Sequence, residues 1–215
     1  MNIDFSLLLP EFLLTLLGLS VLGIDLVAPT KLRNRLGYVT SSIGMLLIAP
    51  ISFLFLNGKQ GSLYNGIYLI DDFSLLFKVF FMLIGVVVAL MSAEYVGRRM
   101  HHPGEYYSMI VFSVLGAVMM SGAAELLTAY ISLELLSFSL YVLVALARGE
   151  RRSIEAGVKY ILLGALSSAI LLFGISIIYG TMGTTVFREL ESPLAMSLGA
   201  PTVILGFSMI LAGLG

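Results

Sequence analysis

Glu134 stands near the middle of an apolar run from Leu126 to Ala147 that is long enough to cross a bilayer. An ionisable side chain at that depth marks a functional site by default. On a helix, Tyr130 lies four residues before it, Ser137 three after and Tyr141 seven after, so the four form one polar stripe. Turned to lipid such a stripe would be costly, and it is expected to face other helices or water. A carboxyl held between desolvation and a nearby cation is chemically suited to exchanging protons. The competing reading is a carboxylic acid that joins two helices by a hydrogen bond.

Other candidates are weaker. Lys159 falls inside the end of the next apolar run, just before Ile161, Leu162 and Leu163, where it either snorkels to the interface or takes part in proton transfer. Lys78 follows Asp71 by seven residues, two turns along one side, and is expected to anchor at the interface paired with that aspartate. Glu11 and Asp25 flank the first apolar run near its two ends and are assigned no special role. His101 and His102 sit beside Pro103 and Gly104 without carboxylate or cysteine company, a weak metal signal. Cysteine is absent, which excludes disulfides, thiolate catalysis and iron–sulfur ligation on this chain. There is no phosphate-binding glycine loop, no Ser-His-Asp set, no nucleotide fingerprint and no basic patch suited to nucleic acid. No catalytic, cofactor or metal site is therefore assigned, and the surrounding medium expected is a lipid bilayer.

The elements that must position these residues are membrane helices. Hydrophobic residues make up 59% of the 215 and charged residues only 12%, with a mean hydropathy of +1.02; a soluble domain could not carry that surface. A hydrocarbon core roughly 30 Å thick takes about 20 helical residues per crossing. Seven runs have about that length: Leu7–Val27, Leu36–Leu56, Phe73–Tyr95, Tyr106–Gly122, Leu126–Ala147, Ile154–Gly180 and Gly199–Gly215. Their continuous apolarity argues for helices over a membrane barrel, so the expected fold is all-α, a polytopic transmembrane bundle of about seven helices. Lys31, Arg33, Arg35, Arg98, Arg99, Arg148, Arg151 and Arg152 lie in one set of connections, and only Lys59 and Arg188 in the other. That asymmetry places the first set in the cytoplasm and the N-terminus outside. The first run has no basic n-region and reads as a retained span rather than a cleaved signal. The last run stops at Gly215 without charge, aromatic anchor or cap, and is read as truncated. Gly164, Ser167, Ser168 and Gly174 make the sixth run small on part of its surface, for close helix packing.

The stretch GEYYSMIVFSVLGAVMMSGAAELLTAYISLELLSFSLYVLVALARG from Gly104, with EAGVKYILLGALSSAILLFGISIIYG from Glu155 to Gly180, resembles the subunit N family of bacterial NADH-quinone oxidoreductase, the respiratory complex I. These are antiporter-like membrane subunits, related to those of Mrp-type cation/proton antiporters. The resemblance extends more loosely through DDFSLLFK to Pro10 and Glu11. It implies an inverted-repeat fold of about fourteen helices, of which this chain is an N-terminal fragment. Residues 1–103 would hold the first three helices, and 104–215 the start of the first repeat. Glu134 matches the family's glutamate, which pairs with a lysine on a broken seventh helix to bias protonation along a polar channel. Lys159 matches a lysine of lesser role. The seventh-helix lysine is expected within a few residues after Gly215. The resemblance further implies proton translocation coupled to quinone reduction, with NADH, FMN, iron–sulfur clusters and quinone bound by other subunits. Partners would be the other membrane subunits of the complex, and the location the bacterial plasma membrane. A subunit of an Mrp-type antiporter or membrane-bound hydrogenase is one alternative; a non-conducting membrane scaffold is another.

Overall fold

A computed structural model describes residues 5–30, 32–100, 102–191 and 199–215 of the chain. Lys31 and His101, which entered the charge and metal readings above, lie outside the described residues. A short 3-10 turn, Phe5–Leu8, leads into α1 (Leu9–Val27). There follow α2 (Arg33–Leu56), α3 (Asp72–Arg99), α4 (Pro103–Ser121), α5 (Leu126–Ala145), α6 (Arg151–Met182) and α7 (Pro201–Leu214). Proline opens α1, α4 and α7, where its missing N–H is not needed and its fixed φ already suits a helix.

The chain is a multi-pass helical membrane protein, and the spans from the 3-10 turn and α1 through α6 are long and apolar enough to cross. The seventh run is helical as expected, with 14 residues in α7, a rise of about 21 Å. Large apolar side chains such as Leu16, Leu54, Phe80, Leu163 and Phe173 are left exposed around the bundle, as a lipid-facing belt requires.

Between α2 and α3 the chain makes a two-stranded antiparallel hairpin, β1 (Gly61–Leu63) with β2 (Tyr68–Ile70). Tyr64, Asn65 and Gly66 all carry positive φ at its turn. The Asn-Gly pair between apolar residues is the signal that marks it. The hairpin is tied down: Leu69 N–H donates to the Gly122 carbonyl at 2.8 Å, and Ala124 N–H to that of Ile67 at 2.9 Å.

One core cluster joins α1 to α4 through Leu14, Met45, Met82, Val86, Tyr107 and Val111. A second lies under the hairpin, and a third, of Leu171, Ile175, Ile178, Leu190 and Ile210, joins α6 to α7 with Tyr130 and Leu133 of α5 packed on it. Successive helices alternate in direction. One end gathers the basic residues in ion pairs, Arg99 with Glu150 and Arg148 with Glu105; the other end carries the hairpin.

Asp71 corrects another expectation. Its carboxylate accepts the Ser74 N–H at 2.7 Å while the Ser74 hydroxyl accepts the Asp71 N–H at 3.0 Å, a reciprocal cap on α3. The aspartate is spent on the helix terminus, and Lys78 turns elsewhere.

Candidate functional site

The Glu134 stripe lies between α5 and α6. Small residues let neighbouring helices close: Gly116 of α4 sits where a Cβ would meet the Leu136 nitrogen at 2.6 Å, which seats one face of α5 on α4. Ser132 and Ser139 spend their hydroxyls within α5, on the Thr128 and Leu135 carbonyls, each at 2.7 Å. The glutamate face turns to α6. There the Ser168 hydroxyl donates to Glu134 Oε1. Tyr141 is buried one level along, its hydroxyl lodged against Gly164 and its ring edge-on to Tyr160 with centroids 4.7 Å apart. Glu134 itself is half-buried. The expected stripe is thus assembled between helices, with Ser168 as the partner that spacing within α5 could not name. Gly164 and Gly174 serve close packing as expected, Gly174 against the Gly206 carbonyl and Ile210 nitrogen of α7.

Lys159 is not brought to Glu134. It is exposed and paired with Glu155 at 2.6 Å, one turn away on α6. Ser168 lies nine residues further along the same helix, about 13.5 Å in rise. Among the described residues Glu134 is a member of no ion pair.

The residues assigned no special role are more committed than expected. Glu11 of α1 pairs with Lys78 of α3 at 2.7 Å, and the lysine side chain is 0% exposed. The Tyr68 hydroxyl of β2 donates to the same Glu11 Oε1 at 2.6 Å. Burial first, and the Glu11 carboxylate next to it, push the Tyr68 hydroxyl well above its ordinary range, so it stays a donor. Lys78 is therefore a buried ion-pair member rather than an interfacial anchor of Asp71. At the opposite end Asp25 is buried too, accepting the Gly104 N–H at 3.0 Å and standing 3.4 Å from His102 Nδ1. His102 is thus occupied by a carboxylate and Arg33, and no group of three metal-binding side chains occurs among the described residues. Glu125, just before α5, accepts from Thr128 at 3.0 Å and Thr185 at 2.7 Å, closing the hairpin end of α5.

Residues 123–215, which contain the whole Glu134 stripe, match the family described as NADH:quinone oxidoreductase/Mrp antiporter, transmembrane. They are similar to the antiporter-like membrane segment of that family. The likeness runs beyond the segment. Subunit N of NADH-quinone oxidoreductase from Desulforamulus reducens is 38% identical over 215 residues, covering all of this chain and 45% of the relative. That from Moorella thermoacetica is 38% identical over 211 residues, 98% of this chain and 44% of the relative. The chain thus spans less than half the length of these relatives. Among solved structures, respiratory complex I from Thermus thermophilus with bound aureothin aligns with a TM-score of 0.71 at 26% identity, over 96% of this chain and 43% of the other. An archaeal membrane-bound sulfane sulfur reductase shares the fold, with a TM-score of 0.75 at 24% identity over 97% of this chain and 44% of the other. Within the antiporter-like segment lie Glu134, Lys159 and Ser168; Glu11, Tyr68 and Lys78 precede it.

Proposed function

We propose that this chain is the N-terminal part of a proton-translocating membrane subunit of a NADH-quinone oxidoreductase, in which Glu134 exchanges protons with a polar path between helices. The observation that carries it is the Glu134 carboxylate held at mid-helix on Ser168, between α5 and α6. An ionisable side chain at that depth is costly, and turned away from lipid it marks a proton path by default. Tyr130, Ser137 and Tyr141 extend it along α5, and the cation that biases it would be supplied from beyond Gly215. Lys159, on the basic end with Glu155, would serve proton access rather than direct exchange with Glu134. Redox chemistry stays off this chain; NADH, FMN, iron–sulfur clusters and quinone would be bound by other subunits, with which it assembles in the bacterial plasma membrane. With eight cationic residues in one set of connections against two in the other, the basic end would face the cytoplasm and the N-terminus the outside. Residues 1–103 act as a flanking three-helix unit and 104–215 open the first of two inverted repeats.

An Mrp-type cation/proton antiporter subunit is the second reading, because the family description that matches residues 123–215 names both. Purifying the full-length protein from its native membranes separates the two. Copurification of flavin and iron–sulfur spectra with NADH-dependent quinone reduction is expected. Sodium-driven proton exchange by a complex lacking those chromophores would establish the antiporter instead.

A further inference from the structure

Tyr160 of α6 stands between Glu134 and the basic end of the bundle. It follows Lys159 directly and precedes Ser168, the donor to Glu134, by eight residues, about 12 Å in rise. The seam between α5 and α6 changes character along that length. At the basic end small residues shut it: a Cβ on Gly157 would meet that of Ala145 at 2.6 Å, and the Ser153 hydroxyl donates to the Val144 carbonyl. Toward mid-helix the seam is polar, with Ser168 on Glu134. Between the two, the rings of Tyr141 and Tyr160 meet edge-on, 4.7 Å between centroids and 82° between planes. The two rings are not equally held. Tyr141 is 8% exposed, wedged against the bare backbone of Gly164 with the Phe138 ring 6.4 Å away. Tyr160 is 40% exposed and has room to swing. Beside it the exposed Lys159–Glu155 pair forms a charged mouth. An edge-to-face contact adds only modestly to the burial of its rings, so this pair can part without unfolding either helix. Closed, the rings offer water few hydrogen-bonding partners, and a constriction of that kind blocks a pore by keeping it dry.

We propose that Tyr160 is a further residue of the proton path, the mobile ring that with Tyr141 sets when Glu134 is open to the basic end. This rests on the reading of Glu134 as a proton-exchanging group, for which a carboxylate open to both faces at once would dissipate the gradient. Water access past the ring pair is measured directly. This chain has no cysteine, so Ser137→Cys, between Glu134 and Tyr141 on α5, places one thiol behind the rings. The full-length protein in its assembled complex, in sealed vesicles, is treated with a trimethylammonium methanethiosulfonate. The reagent is added on the side from which an Arg151→Cys control reacts, and modification of the α5 peptide is followed by mass spectrometry. Ser137→Cys alone should react slowly. Adding Tyr160→Ala should speed it roughly tenfold, the scale of population that one aromatic contact holds closed. Tyr160→Phe, which keeps the ring and loses the hydroxyl, should react as the parent does. Tyr130→Ala, one turn beyond Glu134, should leave the rate from this side unchanged. Where Tyr160→Ala does not assemble, Tyr160→Leu takes its place with the same expectation. No acceleration in an assembled Tyr160→Ala or Tyr160→Leu complex, or equal acceleration by Tyr160→Phe, would overturn the proposal. Thiol access does not depend on whether Glu134 carries protons, so the ring pair and the reading of Glu134 fail separately: Glu134→Gln pumping tests the second alone.

Discussion

A carboxylate that accepts from a serine one helix away can be tested by removing either side. Ser168→Ala deletes a donor to Glu134 but leaves the carboxyl, so proton transfer in the full-length protein should slow by about tenfold or more, the scale of one hydrogen bond to a charged group. Stopped-flow pH-dye measurements on proteoliposomes would read that change, and an unaltered rate would show that Ser168 does not position the glutamate. The Glu11–Lys78 pair gives the opposite pattern. Lys78→Met alone strands a buried carboxylate and should cost about 3–5 kcal/mol, whereas Lys78→Met combined with Glu11→Gln should recover most of it. Thermal unfolding of the detergent-solubilised full-length protein checks both; equal loss in the single and double variants would refute the ion-pair account. Glu134 was legible in the sequence because a charge in an apolar run stands out alone. Lys78 was visible in the same way, yet its partner was not. Spacing along one helix pointed to Asp71, which caps α3, while Glu11 lies 67 residues away and meets it only through packing.

At the level of elements, small residues govern how closely α4, α5, α6 and α7 approach. A methyl added at Gly116 meets the backbone of α5, and one at Gly174 meets the backbone of α7, neither of which can swing aside. At Gly164 the obstacle is the Tyr141 side chain, which can. Gly116→Ala and Gly174→Ala should therefore each destabilise by about 1–3 kcal/mol, and Gly164→Ala by less while displacing Tyr141 from the stripe. Unfolding midpoints across the three variants, with Tyr141 placement from a structure of Gly164→Ala, test that order. The six spans could be read in advance since continuous apolarity over about 20 residues admits only helices in lipid. The hairpin was harder: three-residue strands give no period to detect, and its only mark was Asn65-Gly66. The serines of α6 read as packing residues because composition alone cannot tell a small residue that makes room from one that donates a hydrogen bond.

For the whole molecule, alternating helices bring the cationic connections to one end and the hairpin to the other. Cysteines placed at Arg98 and Arg151 of a full-length protein should react with an impermeant maleimide only from the cytoplasmic side, and one at Lys59 only from outside. Reaction of Lys59 and Arg98 positions from the same side would break the arrangement. The proposed coupled pumping would also belong to the whole protein, since the proposed cation for Glu134 would come from outside these residues. The decisive measurement compares Glu134→Gln, Glu134→Asp and the parent in membranes with matched amounts of assembled complex, following NADH-dependent quinone reduction and pH-gradient formation together. Glutamine keeps the size and the acceptor for Ser168 but cannot titrate, so assembly should survive while pumping falls by at least about tenfold; aspartate, still titratable but one methylene short, should retain part of it. If Glu134→Gln instead builds the same gradient as the parent, the glutamate joins α5 to α6 as a hydrogen-bonding residue and carries no proton.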